Sequence, residues 1–203
     1  MKKEEPGIKE VKIILLGDSG VGKTSIINRY VNQSFNNDVT TSLGSRSFEK
    51  EIRQGKTLYK LNIWDTTGQE KYHSLTNLFI KKSGIVILVY SIDSIRSFQG
   101  LNYWYNCAQE RLENKKYILA VIGNKSDIID GEGLVSEEDG KRFAQEKNCF
   151  FKLVSAKEDP EGINSLFETL FEEFIKCEYD FYENSMETVK LNKEEKKEKK
   201  KCC

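Results

Sequence analysis

Residues 11–24 read VKIILLGDSGVGKT: an apolar run, a glycine-rich loop, then Lys-Thr opening a polar-apolar stretch, KTSIINRYV. Gly17, Gly22, Lys23 and Thr24 satisfy G-x-x-x-x-G-K-[ST] in the order strand, loop, helix. That order has a physical reason. Glycines let successive backbone N–H groups turn inward around a phosphate chain. The helix start adds positive potential, and a lysine supplies a point charge to the outer phosphates. A threonine hydroxyl at this place suits Mg²⁺. Asp18, Ser19, Gly20, Val21, Gly22, Lys23, Thr24 and Ser25 are therefore the expected phosphate-binding stretch.

Such a loop does not choose between adenine and guanine. The choice falls to Asn124-Lys125-Ser126-Asp127, placed directly after the apolar run YILAVIG (117–123). A carboxylate such as that of Asp127 accepts two parallel N–H bonds from a guanine edge. Adenine lacks that donor pair and leaves the carboxylate unmatched, which is costly in a buried site. Ser155-Ala156-Lys157 follows the next short run, FFKLV (150–154), where a backbone N–H and a lysine stem could close over the same base. Alone, NKSD reads as a polar turn; after a strand of a phosphate-loop domain it points to guanine through Asn124, Lys125, Asp127, Ser155, Ala156 and Lys157.

The rest of the chain follows the same rhythm. LYKLNIW (58–64) alternates as a half-buried strand does, whereas IVILVY (85–90) and YILAVIG are continuous β-branched runs suited to central strands. Helical spacing runs over 95–112 and again from about 161 to 176, and Ser136-Glu137-Glu138-Asp139 resembles a capping box before KRFAQEK. Repeated β–loop–α units imply an α/β domain with a largely parallel sheet covered by helices on both faces. From Cys177 onward no apolar period is evident.

With 203 residues the chain has room for one domain with a substantial core. Lys+Arg and Asp+Glu balance at 32 each, so no overall field points to nucleic acid. MKKEEPGIKE (1–10) lacks the apolar core of a secretory signal, and the apolar run at 85–90 is far shorter than a membrane span. The five cysteines have no disulfide or metal-ligand spacing, and a single histidine, His73, argues against a His-based metal centre. His73 itself reads as a bystander or partner contact, and Cys107, Cys149 and Cys177 as ordinary thiols. Tyr103, Trp104 and Tyr105 are expected to include the residues that pack the 95–112 helix on the sheet.

GDSGVGKT (17–24), WDTTGQE (64–70), NKSD (124–127) and SAK (155–157), in this order, resemble a small GTPase of the Ras superfamily over about residues 9–177. SFxxLxxW at Ser97–Trp104 and the ending Cys202-Cys203 are most similar to the Rab family. The resemblance implies a phosphate-loop NTPase fold with a mostly parallel six-stranded sheet. Three regions are implied: a short extension at 1–8, the GTPase domain at 9–177 and a flexible tail at 178–203. It also implies GTP and GDP as ligands with Mg²⁺, and a monomer that hydrolyses GTP to GDP and phosphate. Asp65 would reach Mg²⁺ through water, Gly68 would offer its N–H to the γ-phosphate, and Gln69 would orient the attacking water. Partners would be exchange factors (GEF), activating proteins (GAP), GDI or escort proteins, and effectors that read the GTP form.

Three departures from the family's pattern stand out. The first-switch Mg²⁺ ligand falls on Ser42 rather than a threonine, with Thr41 an alternative if the loop shifts by one. An aromatic expected a few residues later is Ser47, with Phe48 beside it. Thr67 stands where the family carries alanine. Either it is a harmless methyl-to-hydroxyl change, or it displaces the water that Gln69 positions, slows hydrolysis and biases the chain to its GTP form. Two other classes remain: a GTP-binding module with little turnover, and a phosphate-loop kinase or ATPase, against which NKSD and SAK speak.

The tail LNKEEKKEKKKCC (191–203) is a solvated charge run as far as fold is concerned. Its terminal thiols can be alkylated, and two prenyl chains exceed the threshold for stable membrane anchoring. It lacks the C-a-a-X ending of a farnesylated anchor. By resemblance, Cys202 and Cys203 would be geranylgeranylated, placing the chain on the cytoplasmic face of an endomembrane and cycling it with the cytosol.

Overall fold

Six strands form one sheet in the computed structural model, which describes residues 7–35, 46–66, 79–112, 116–131 and 133–177. They are β1 (Ile8–Leu16), β2 (Arg46–Gln54), β3 (Thr57–Asp65), β4 (Ile85–Ser91), β5 (Ile118–Asn124) and β6 (Phe150–Leu153). The helices are α1 (Lys23–Asn32), α2 (Ile95–Gln99), α3 (Leu101–Leu112), α4 (Glu137–Glu146) and α5, over residues 160–177. The strand order is β2-β3-β1-β4-β5-β6, with β2 antiparallel to β3 and every other pairing parallel. The α/β class, the six strands and the mostly parallel sheet agree with expectation.

Residue types explain each strand's place. All seven residues of β4 are buried, as a β-branched run sandwiched between two helical layers should be. Along it Ile85, Ile87 and Val89 face one layer, and Val86, Leu88 and Tyr90 the other. The first layer is completed by Ile26, Ile27 and Tyr30 of α1 and by Ile163, Leu166, Phe167 and Leu170 of α5. The second takes Leu101, Trp104, Ala108 and Leu112 of α3 with Phe143 and Ala144 of α4. Strand β3 alternates buried and half-buried positions, matching its alternating sequence.

Two elements differ from the sequence reading. Strand β2, RSFEKEIRQ, has no fully buried residue, because it sits at the sheet edge with β3 as its one strand neighbour; no apolar period marks it. The helix expected over 95–112 is divided at Gly100, the weakest helix former in that stretch. Of the aromatic trio there, Trp104 is buried, Tyr103 exposed and Tyr105 in between. Ser136 does cap α4, accepting from the Asp139 N–H at 3.1 Å, and its hydroxyl bonds the Asp139 carboxylate.

In the first layer α1 and α5 meet through aromatic rings. Tyr30 and Phe167 stack with ring centroids 3.9 Å apart and 7° between planes, and Phe167 is fully buried. Phe167→Ala is expected to remove about 3–5 kcal/mol, read as a lower urea midpoint at unchanged m-value.

Candidate functional site

β1 lies between β3 and β4, so the chain crosses to one side of it for β2 and β3 and to the other for β4–β6. That is the topological switch point, where the carboxyl ends of parallel strands leave a crevice. Every singled-out segment in the described residues follows a strand at this edge: Gly17 after β1, Thr66 after β3, Lys125 after β5, Ser155 just past β6. Residues far apart in sequence therefore share one rim.

The loop after β1 is held open by its glycines. Gly17 and Gly22 have φ of 148° and 95°, values that side-chain-bearing residues avoid. A Cβ on Gly17 would lie 2.1 Å from the Val89 carbonyl oxygen, and one on Gly22 would lie 2.2 Å from Asn124 Nδ2. The second contact shows how tightly the phosphate loop abuts the NKSD segment.

Lys23, the first residue of α1, is 4% exposed and donates to the carbonyls of Gly17 at 2.7 Å and Asp18 at 2.8 Å. Burial pulls its pKa down to about 8, opposed by the charges of Asp65 and Asp18. The lysine is thus curled into its own loop, beside the carboxylates that keep it charged. A polyphosphate would complete what those carboxylates do partially.

Next to it, the Thr24 hydroxyl donates to Asp65 Oδ2 at 2.7 Å. Asp65 closes β3 and is fully buried, its position fixed by parallel pairing with Leu15. Thr66 ties the same corner together, its hydroxyl donating to the Leu15 carbonyl at 2.6 Å. A hydroxyl and a carboxylate converging within hydrogen-bond distance, beside a phosphate cradle, form the hard oxygen set that suits Mg²⁺.

Asn124 is the hub of the other half. It is 2% exposed; its Nδ2 donates to the Val21 carbonyl at 2.9 Å, and its Oδ1 accepts from the Ala156 N–H at 3.1 Å. One amide thereby joins the phosphate loop to the SAK turn. Asp127 accepts from Ser155 Oγ at 2.6 Å and lies 3.9 Å from Lys157 Nζ. Lys125, in the left-handed region at φ 64°, is paired with Asp93 at 3.2 Å. From α1, Arg29 donates to the carbonyls of Ala156 at 2.9 Å and Lys157 at 3.0 Å.

The structure thus gathers Asp18–Ser25, Asp65, Asn124, Lys125, Asp127 and Ser155–Lys157 at one end of the sheet. Sequence reading gave no role to Arg29, Asp93 or Thr66, whose signal is purely one of proximity. Ser42 and Thr41, and Thr67, Gly68, Gln69 and His73, lie outside the described residues, as do Cys202 and Cys203. Of the remaining cysteines, Cys107 is buried and Cys177 exposed, and burial raises the Cys149 thiol to about 11.

Comparison with known proteins bears on the same residues. The model of the Ras family matches residues 12–176. The chain is 38% identical over 173 residues to Ras-related protein Rab7 of Pisum sativum, covering 82% of each chain. It is 34% identical over 195 residues to Ras-related protein Rab-17 of Mus musculus, covering 95% of this chain and 90% of that one. Ras-related protein RABG3f of Arabidopsis thaliana is 40% identical over 154 residues, 72% of this chain and 74% of the relative. The match takes in every segment of the rim, from the phosphate loop to the SAK turn, and so the chain belongs to the Ras family as a Rab-like small GTPase, a GTP hydrolase.

Proposed function

We propose that this chain is a GTP/GDP switch of intracellular vesicle and membrane traffic. The observation that carries the proposal is the shared rim, on which a caged lysine and a Thr24–Asp65 oxygen pair stand beside the Asp127–Ser155 pair. Lys23 and the N–H groups of residues 18–25 would hold the phosphates, and Asp127, with the Ala156 turn, the guanine edge. Asn124 would hold the two halves at fixed separation through its bonds to Val21 and Ala156.

Thr24 and Asp65, with Ser42 from the first switch, would hold Mg²⁺, which neutralises phosphate charge when bound. Gly68 would donate to the γ-phosphate and Gln69 would orient the hydrolytic water. Membrane attachment through geranylgeranylated Cys202 and Cys203 would put the switch on the cytoplasmic face of an endomembrane, exchanging with cytosol. No helix among the described residues is long and apolar enough to cross a membrane. Regulation would come from GEF, GAP, GDI or escort proteins, with effectors reading the GTP form.

The test has two stages. Protein purified without added nucleotide should carry GDP or GTP at close to one per chain; ATP in its place would end the guanine reading. Single-turnover hydrolysis then compares wild type with Thr67→Ala and with Gln69→Leu as the impaired baseline. If Thr67 displaces the attacking water by about 1 Å, Thr67→Ala should be faster by up to about a hundredfold. Equal rates well above the baseline mean that the second threonine is harmless and the switch cycles ordinarily.

A further inference from the structure

Asp18, the one acidic residue in the phosphate loop, is gripped from outside the loop. Its Oδ1 accepts from Trp104 Nε1 at 2.8 Å, across a separation of 86 residues. The indole is 1% exposed and belongs to the α3 face buried on the sheet, so its N–H is fixed in direction. The same carboxylate rests on Gly100: a Cβ there would lie 2.9 Å and 3.0 Å from the two carboxylate oxygens. The backbone of Asp18 is held separately, its carbonyl accepting from Lys23 at 2.8 Å. One loop residue is thus clamped twice, by the site lysine and by the α2–α3 junction.

We propose that Trp104 is a positioning residue of the nucleotide site, holding the Asp18 carboxylate against Gly100 and so fixing the phosphate loop's conformation. This rests on the reading of that loop as a nucleotide site. A loop built on glycines keeps one conformation only where its side chains are tied to rigid neighbours, and a bond to a carboxylate is the stronger kind of tie. The indole N–H, bonded to the Asp18 carboxylate at 2.8 Å, supplies that tie. The absence of a side chain at Gly100 fits the same contact. Any larger residue would occupy the space the carboxylate takes, although its φ of −62° and ψ of −19° suit alanine. Packing alone would make Trp104 a filler of the second core layer, indifferent to its N–H.

The experiment measures dissociation of fluorescent mant-GDP from the full chain in Mg²⁺, with thermal unfolding alongside. Trp104→Phe keeps an aromatic ring and removes the donor; Asp18→Ala removes the acceptor. Each should speed release about tenfold, the scale of one hydrogen bond to a charged group. The double variant should release no faster than either single one. Asp18→Asn, which keeps an acceptor for the indole, should recover most of the loss seen in Asp18→Ala. Gly100→Ala should speed release without lowering the unfolding temperature, which keeps the test valid if Trp104→Phe folds poorly. Wild-type release rates in Trp104→Phe and Gly100→Ala, or multiplicative effects in the double variant, overturn the proposal while leaving the nucleotide reading intact. A wild-type chain that holds no guanine nucleotide overturns both.

Discussion

Asn124→Ala is expected to lose about 2–4 kcal/mol of stability and on the order of a hundredfold in guanine-nucleotide affinity. Both effects have one cause. The substitution removes a donor from the Val21 carbonyl and an acceptor from the Ala156 N–H, in a place where Asn124 is 2% exposed. Buried polar groups left without partners cost roughly 1–3 kcal/mol each. The two halves of the rim then lose their common tie, so the phosphate loop and the SAK turn no longer present a site of fixed width. Asn124→Asp separates the two contributions. It keeps the shape and the acceptor but cannot donate to Val21, and it adds a charge beside the loop. Urea unfolding without nucleotide measures the first effect, and isothermal titration with GDP the second. Wild-type GDP affinity in Asn124→Ala would show that the rim does not depend on this amide.

Lys23→Met should divide the two properties instead of lowering both. Lys23 is 4% exposed, and burial holds its pKa at about 8 against an ordinary 10.5. That penalty on the charged form is on the order of 3 kcal/mol, offset in part by the bonds to the Gly17 and Asp18 carbonyls. A methionine of similar length relieves the penalty while filling the space. Unfolding of the nucleotide-free protein should therefore occur at the same temperature or higher. Nucleotide affinity should drop by about 4 kcal/mol, on the order of a thousandfold, because a buried charge partner of the phosphates is gone. A fall in nucleotide-free stability comparable to the fall in affinity would mean that Lys23 is structural first.

The first prediction turns on a contact between segments 103 residues apart, Asn124 to Val21, and this is where sequence reading stopped. Lys23 and Asp127 were legible because residue type and local spacing state their chemistry: G-x-x-x-x-G-K-[ST] after a strand, and an aspartate after an apolar run. Asn124 was legible as a member of NKSD but not as the tie between loops, since its partners are carbonyl and N–H groups that any residue carries. Arg29 looked like an ordinary basic residue on a helix, yet it secures the SAK turn. Trp104 looked like core, and is core, but its N–H reaches the phosphate loop.

Periodicity determined what it could. Uninterrupted β-branched runs identified β4 and β5 as central strands, and alternation identified β3, because burial on two faces or one leaves that imprint directly on residue type. Strand β2 left a weaker imprint: at the edge, one face is exposed and the other, Phe48, Lys50 and Ile52, is only half-buried, so RSFEKEIRQ is free to be largely charged. The role of Gly100 was likewise unreadable, since the space its missing side chain leaves is taken by a carboxylate 82 positions away along the chain. By itself the sequence determined the α/β class and the chemistry of each loop, because those follow from local order and burial pattern. The strand order alone decided which loops meet at one rim, and the close packing of buried side chains decided which atoms hold that rim in place.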